Sequence, residues 1–281
     1  MTSFTDRLAS RTVRISPPAG WGKLRLGDVS AYRELLYVLV WKQLRVRYSQ
    51  TVIGATWAVI QPLLTMVALT VIFGHFARLP TDGLPYSIFY LSGLLPWTYF
   101  ANSVTAATNS LVDHQHVITK VYFPRILLPI TAVVTGLIDF ALAFGTLLLL
   151  MLFHGIAPLL SPTVLVLFLL LASASMLGVG LWFSALYASY RDVRYVVQFL
   201  VTLWMFVSPV IYPSSMIPTQ WHWLYGLNPM AGVIESFRWA LFGRVPPPVV
   251  LLVASTLSAG ATLAGGLLYF QTKEATIADV V

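Results

Sequence analysis

Cysteine is absent from the 281 residues, which removes disulfides, thiol chemistry and thiolate metal centres from consideration. Charge is nearly as scarce: Asp, Glu, Lys and Arg make up 10% of the chain, against roughly 25% in an ordinary soluble domain. So few charges cannot cover a water-facing surface of this size, and lipid must be the solvent for most of the molecule. No Gly-x-x-x-x-Gly-Lys-[Ser/Thr] phosphate loop occurs. The single Gly-Lys pair, Gly22-Lys23, is followed by Leu24, so the chain lacks the usual means of binding and hydrolysing ATP. His-Glu-x-x-His and Gly-x-Ser-x-Gly are missing too, which leaves no catalytic and no metal-binding residues to name. His114-Gln115-His116 has only Asp113 beside it and reads as a polar loop. Residues 1–49 are polar and basic with no apolar run, so a cleaved signal peptide is not expected.

What the chain has in quantity is apolar length. Residues 52–76, 86–112, 126–153, 162–190 and 245–271 carry no charge or one charge each. A sixth stretch, 195–212, is shorter. A span needs about 20 apolar residues, and only helices or closed barrels satisfy the backbone in lipid. Strand alternation is absent, so the pattern predicts an all-α membrane protein with six transmembrane helices. Fourteen Lys and Arg residues then fall on one side; Arg78, Arg238 and Arg244 fall on the other. The basic side is the cytoplasmic one, and it holds both termini. The +7 net charge is thereby a topology signal with some affinity for anionic headgroups, not a nucleic-acid surface.

Within this plan, 1–27 is a basic tail and 28–49 an amphipathic helix. Tyr32, Leu35, Leu36, Leu39 and Leu44 form its apolar stripe, Arg33, Lys42, Arg45 and Arg47 its rim, and Asp28 or Ser30 its N-cap. That pattern predicts a helix lying in the interface plane. Residues 50–271 form the transmembrane domain and 272–281 a cytoplasmic tail. Inside the domain, 213–244 is aromatic yet broken by Pro218 and Asn228-Pro229. Asn at an N-cap with Pro at the first helical position starts a helix, and Gly243 closes it. Two short helices follow, neither able to span, which reads as a re-entrant external gate.

Asp139 sits near the centre of the third span, where an ionisable group is costly and functional by default. A proton-coupled carrier would use it as a relay. A relay needs a partner, however, and no other charge lies within any span. The residues favour a carboxyl hydrogen-bonded to Ser or Thr across a helix interface. A membrane-embedded glycosyl- or phosphotransferase is the other alternative, and it would need carboxylate or His clusters that are missing. Glu235 and Arg238, three apart, pair on one face of the second gate helix. Trp97, Tyr99 and Phe100, with Trp204 and Phe206, sit in or at the ends of spans beside the gate. Rings stack on the C–H faces of sugars with weak directionality, which suits a sliding glycan.

Arg45-Val46-Arg47-Tyr48-Ser49-Gln50-Thr51-Val52-Ile53-Gly54, Gly93-Leu94-Leu95-Pro96-Trp97, Lys120-Val121-Tyr122-Phe123-Pro124-Arg125, Tyr190-Arg191-Asp192-Val193 and Ser208-Pro209-Val210-Ile211-Tyr212 form a series. With Leu227-Asn228-Pro229-Met230 and the tail Glu274 to Val280, it resembles the ABC-2-type polysaccharide export permeases over about residues 28–281. The resemblance implies a homodimer of six-span subunits in the bacterial inner membrane. It implies two copies of a cytoplasmic ATPase that binds ATP and Mg, with no cofactor on this chain, and a lipid-linked O-antigen-like or capsular polysaccharide as cargo. It further implies docking on the ATPase through Tyr32, Arg33, Glu34, His116, Lys120, Tyr122, Phe123, Arg191 and Asp192. The external gate would use Trp221, Trp223, Asn228, Glu235 and Arg238. The basic asymmetry generates a direct expectation: reporter fusions after Gly83 and Gly155 read external and one after Asp192 internal. An external C-terminus in the same assay would overturn the topology.

Overall fold

A computed structural model describes residues 32–49, 56–121, 123–159, 162–243 and 246–280. Readings made for residues 1–31, including the N-cap of the amphipathic helix, and for Tyr122 lie outside the described residues. Among those residues there is no strand. In chain order the elements are α1 (Arg33–Ser49), α2 (Trp57–Leu69, running on as a π-helical turn, Thr70–Phe76), α3 (Tyr86–Asp113), α4 (Gln115–Ile118) and α5 (Leu127–Phe153). Then come α6 (Pro162–Ser189), α7 (Val193–Val207), two 3₁₀ turns (Ser214–Met216 and Thr219–Trp221), α8 (His222–Tyr225), α9 (Pro229–Phe242) and α10 (Val249–Val280).

Four stretches of helix are both long and apolar enough to cross a bilayer: Trp57–Phe76, Leu127–Phe153, Thr163–Ser189 and Val249–Glu274. Two of the six expected spans differ. α3 has 28 residues, about 42 Å at 1.5 Å each, but Ser, Thr and Asn lower its hydropathy. It compensates by lying at the centre of the bundle, against α2, α5, α6, α7 and α9, with Ile88 to Trp97 almost wholly out of contact with solvent. α7 has 15 residues because Ser208-Pro209 stops it; the residue before a proline is pushed out of the helical region. α10 runs on as helix through the tail to Val280.

Contacts group the loops at two ends. At the basic end, the Arg125 amide donates to Glu274 Oε1 at 3.1 Å, and its guanidinium to the Glu274 carbonyl. There Leu39, Ile118, Phe123, Leu127 and Phe270 form a small apolar cluster. At the opposite end, Ser215 donates to Asp82 at 2.9 Å, and the Leu159 amide donates to the Leu241 carbonyl at 2.8 Å.

α1 corrects one expectation. Its stripe is as read, but Tyr32, Leu35, Leu36 and Leu39 pack on protein at the basic end, not into a headgroup layer. Beyond them, Thr135 donates to Gln43 at 3.2 Å and Arg47 pairs with Asp139. Both pairs are 92 residues apart and sit one turn apart on each helix, so over this stretch α1 climbs beside α5 in parallel. Packing the stripe against Leu127 and Phe123 takes apolar surface out of water, and α1 gains two polar rungs on α5.

Among the described residues α6 and α10 share the most extensive helix–helix contact. A Cβ on Gly178 would stand 2.6 Å from the Leu263 backbone nitrogen, and one on Gly266 would stand 2.5 Å from the Gly178 carbonyl oxygen. Small residues at such a crossing let backbones meet, the usual means of helix association in lipid. Gly178→Val therefore has nowhere to go and should destabilise the protein by about 1–3 kcal/mol, seen as a lowered unfolding midpoint in detergent. Gly260→Ala, where nothing lies within 4 Å, is the control and should be neutral or slightly stabilising.

Candidate functional site

α1, α2, α3 and α5 enclose a cleft of about 930 Å³. α3 presents Thr98, Asn102, Thr105 and Asn109 to it, at spacings of four, three and four, which is one helical face. Across from them stand Gln61 of α2, Gln43 and Arg47 of α1, and Asp139 of α5. Thr105 satisfies itself by donating to the Ala101 carbonyl at 2.8 Å. Asn109 does not: its Oδ1 is buried without a partner.

Asp139 is held by two donors from α1, the Arg47 guanidinium and the Tyr48 hydroxyl. The expected Ser or Thr partner is therefore replaced by an ion pair with a phenol beside it. Its source is a residue that local sequence places on the rim of another helix. No signal near Asp139 could have found it, because the pairing depends on α1 climbing α5. Burial and the hydrogen bond to Asp139 push the Tyr48 hydroxyl up to about 12, so it stays a donor at neutral pH. The one arginine lining the cleft among the described residues is thus already answered by a carboxylate.

The non-spanning segment forms a second assembly at the opposite end. Asn228 caps α9 by accepting from the Met230 amide at 3.0 Å, Pro229 is the first helical residue, and Gly243 ends the helix at φ 61°. The Asn228 side chain also accepts from Trp204 Nε1 at 2.8 Å and donates to Ser208 Oγ at 2.9 Å. α9 is buried along most of its length against α3, α6 and α10. Arg238 is its anchor. The guanidinium lies 3.8 Å over the Phe89 ring and donates to Glu235 at 3.3 Å, to the Phe89 carbonyl at 3.2 Å and to the Val210 carbonyl at 3.3 Å. Glu235 also accepts from the Ser214 amide at 3.3 Å, and burial pushes its carboxyl above the usual carboxylate range against the pull of Arg238. The expected pair on one face exists, and it ties α9 to α3 and to the turn after α7.

Residues 34–242 match the model of a family described as ABC-2 type transporter. The chain belongs to the ABC-2 type transporter family. It is 30% identical over 251 residues to the O-antigen export system permease protein RfbA of Myxococcus xanthus, covering 88% of this chain and 95% of that one. A second protein of that name, from Klebsiella pneumoniae, is 30% identical over 73% of this chain and 79% of its own length. The polysialic acid transport protein KpsM of Escherichia coli is 25% identical over 83% and 91%. An ABC-2 transporter needs a path, a gate and a place to receive work, and the residues expected for these roles scatter. Among the aromatic set, Trp97 and Phe100 are buried core, packed in series with Trp204 at ring separations of 5.4 and 5.1 Å. Tyr99 borders the cleft, and Phe206 is exposed on α7. A continuous aromatic lining is therefore not what these rings form in this structure.

At the basic end, Arg33, Glu34, His116, Lys120, Arg191 and Asp192 are exposed and Tyr32 is half-buried, with Arg191 5.7 Å over the Tyr187 ring. Phe123 departs from expectation: it is buried among Leu39, Ile118 and Leu127, filling the apolar cluster under the loop, and so is not a free anchor for a partner. Trp221 and Trp223 are exposed at the opposite end. The ion pair yields a measurable expectation. In a double-mutant cycle of Arg47→Ala and Asp139→Ala, thermal unfolding in detergent should give a coupling of roughly 1–3 kcal/mol. Additive effects would mean that the two side chains act separately.

Proposed function

We propose that this ABC-2 transporter is the channel-forming permease subunit of an exporter that moves a lipid-linked polysaccharide out of the cytoplasm, driven by a separate ATPase. The observation that carries the reading is the polar face of α3, open to a large cleft, in a chain similar over most of its length to export permeases. α3 and α7 complete six crossings: α3 because the bundle shelters its polar residues, α7 because the turn at Ser208-Pro209 and the segment behind it cap its short end. The grouping of loops at two ends supports that count. The basic end faces the cytoplasm, the more firmly because Arg238, one of the three cations assigned to the other side, is buried with Glu235 and contributes nothing to loop charge.

Two copies of the chain pair to close the path, consistent with α7, whose apolar Tyr195, Phe199, Leu203 and Phe206 lie uncovered. Two ATPase subunits, which bind the ATP and Mg, dock at the basic end. α1, α9 and the cytoplasmic turns then divide the labour. α1 receives movement from below and is fastened to α5 at Asp139, while α9, with Asn228, Glu235 and Arg238, closes the outer end as a re-entrant gate. The carrier alternative loses its motive, because Asp139 is engaged by Arg47 and Tyr48 in a link between helices.

Coupling is the testable core of this reading. Reversing the exposed charges, Lys120→Glu with Arg191→Glu, should lower capture of the ATPase at least tenfold while the chain inserts normally. A rim charge acts on encounter and register. Phe123→Ala should act differently, costing about 3–5 kcal/mol of stability as a buried ring, with capture per folded molecule unchanged. Normal capture by the charge-reversed chain would mean that these turns are not the docking element.

A further inference from the structure

The cleft has a chemistry of its own. Asn102 is exposed, Asn109 Oδ1 is buried and unmatched, and neither Asn102 nor Gln61 makes a side-chain hydrogen bond among the described residues. Three carboxamides, each able to donate and accept, thus face one cavity with their bonding capacity unused. From Thr98 to Asn109 the polar face runs about 16 Å along the helix, well into membrane depth. Unpaired polar groups at that depth are costly unless water or a polar ligand meets them. Trp57, largely exposed, borders the same cleft and adds a ring face to the carboxamides.

Charge narrows the ligand. Among the described residues the ionisable groups lining the cleft are Arg47, Asp139, Asp113, His114 and two tyrosines, Tyr48 and Tyr99. Arg47 is spent on Asp139. His114 Nδ1 contacts the Ser110 carbonyl at 2.9 Å, which fixes that nitrogen as the donor. Asp113 adds a carboxylate at the basic end. Among the described residues no unanswered arginine or lysine faces the cleft, so a polyanion passing here would leave water without gaining a counter-charge.

We infer that the α3 face carrying Thr98, Asn102, Thr105 and Asn109 is a binding rail for uncharged sugar residues, and that the exported glycan is a neutral one. This rests on the permease reading and deepens it. Carboxamides bind vicinal hydroxyls by donating to one and accepting from the next. A row of them lets a chain of hydroxyls step from one to another without strong anchoring at any point. An acidic glycan, carrying carboxylates or phosphates in each repeat, fits this lining poorly.

Two measurements test it. Sugar analysis of the surface glycan that disappears on deleting the gene should find a repeat without uronate, sialate or phosphate; an acidic repeat overturns the inference. In the complemented strain, Asn102→Leu with Asn109→Leu should reduce surface glycan at least tenfold at normal amounts of inserted protein, while Asn102→Gln with Asn109→Gln should retain most of it. Full export by the leucine variant overturns the rail and leaves the permease reading standing. If deletion removes no surface glycan, the permease reading itself fails, and the inference with it.

Discussion

A helix too polar for lipid has to be wrapped, and α3 imposes that requirement on everything around it. Its 28 residues include five Ser and Thr and two Asn from Thr98 to Ser110, and the two carboxamides in particular are costly in hydrocarbon. α2, α5, α6, α7 and α9 close round most of its circumference. One stripe is left open, and that stripe is the cleft. The same fact explains why α9 goes inside the bundle: a short helix that cannot cross can still supply apolar cover to α3 through Val233, Ile234 and Phe237. The site and the fold therefore share one cause.

The membrane also decides how charge is kept. Among the described residues, Arg238 is held by several groups and Arg47 by one carboxylate. Arg238 has a carboxylate, two carbonyls, the Ser92 hydroxyl and a ring face. Arg47 shares Asp139 with a tyrosine. A buried charge that loses its partner is strongly destabilising, which applies to Arg238; Arg47, with its side chain 37% exposed, is held less stringently. One fixes the short helix to the outer end, the other fixes α1 to the middle of α5.

Much of this was legible in the sequence because the code was local. Asn228-Pro229 with Gly243 marks both ends of α9, and long apolar runs mark α2, α5, α6 and α10, since capping and hydropathy act over a few residues. Failures came where the deciding partner is distant. Arg47 and Asp139 are 92 positions apart, and a charged rim looks the same whether it meets headgroups or a carboxylate. Phe123 stands in a charged loop and reads as a projecting anchor, yet Leu39 and Phe270, far away in sequence, draw it inward. Trp97 and Phe100 read as a channel lining because ring chemistry is visible in sequence and burial is not. The face of α3 went unnoticed because no cluster of charge advertised it; a search for Ser, Thr and Asn at spacings of four, three and four inside an apolar run would have found it.

The glycine crossing of α6 and α10 has a mechanical consequence. Where two backbones touch through Gly178 and Gly266, there are no side chains to repack, and sliding or tilting one helix against the other meets hard atoms at once. These two helices form a stiff frame. α7, by contrast, buries a single residue, Val197, and α2 is interrupted by Pro62 and loosened by its π turn. Beside that frame these two helices are the more compliant parts of the bundle, while α9 is packed against the frame's side.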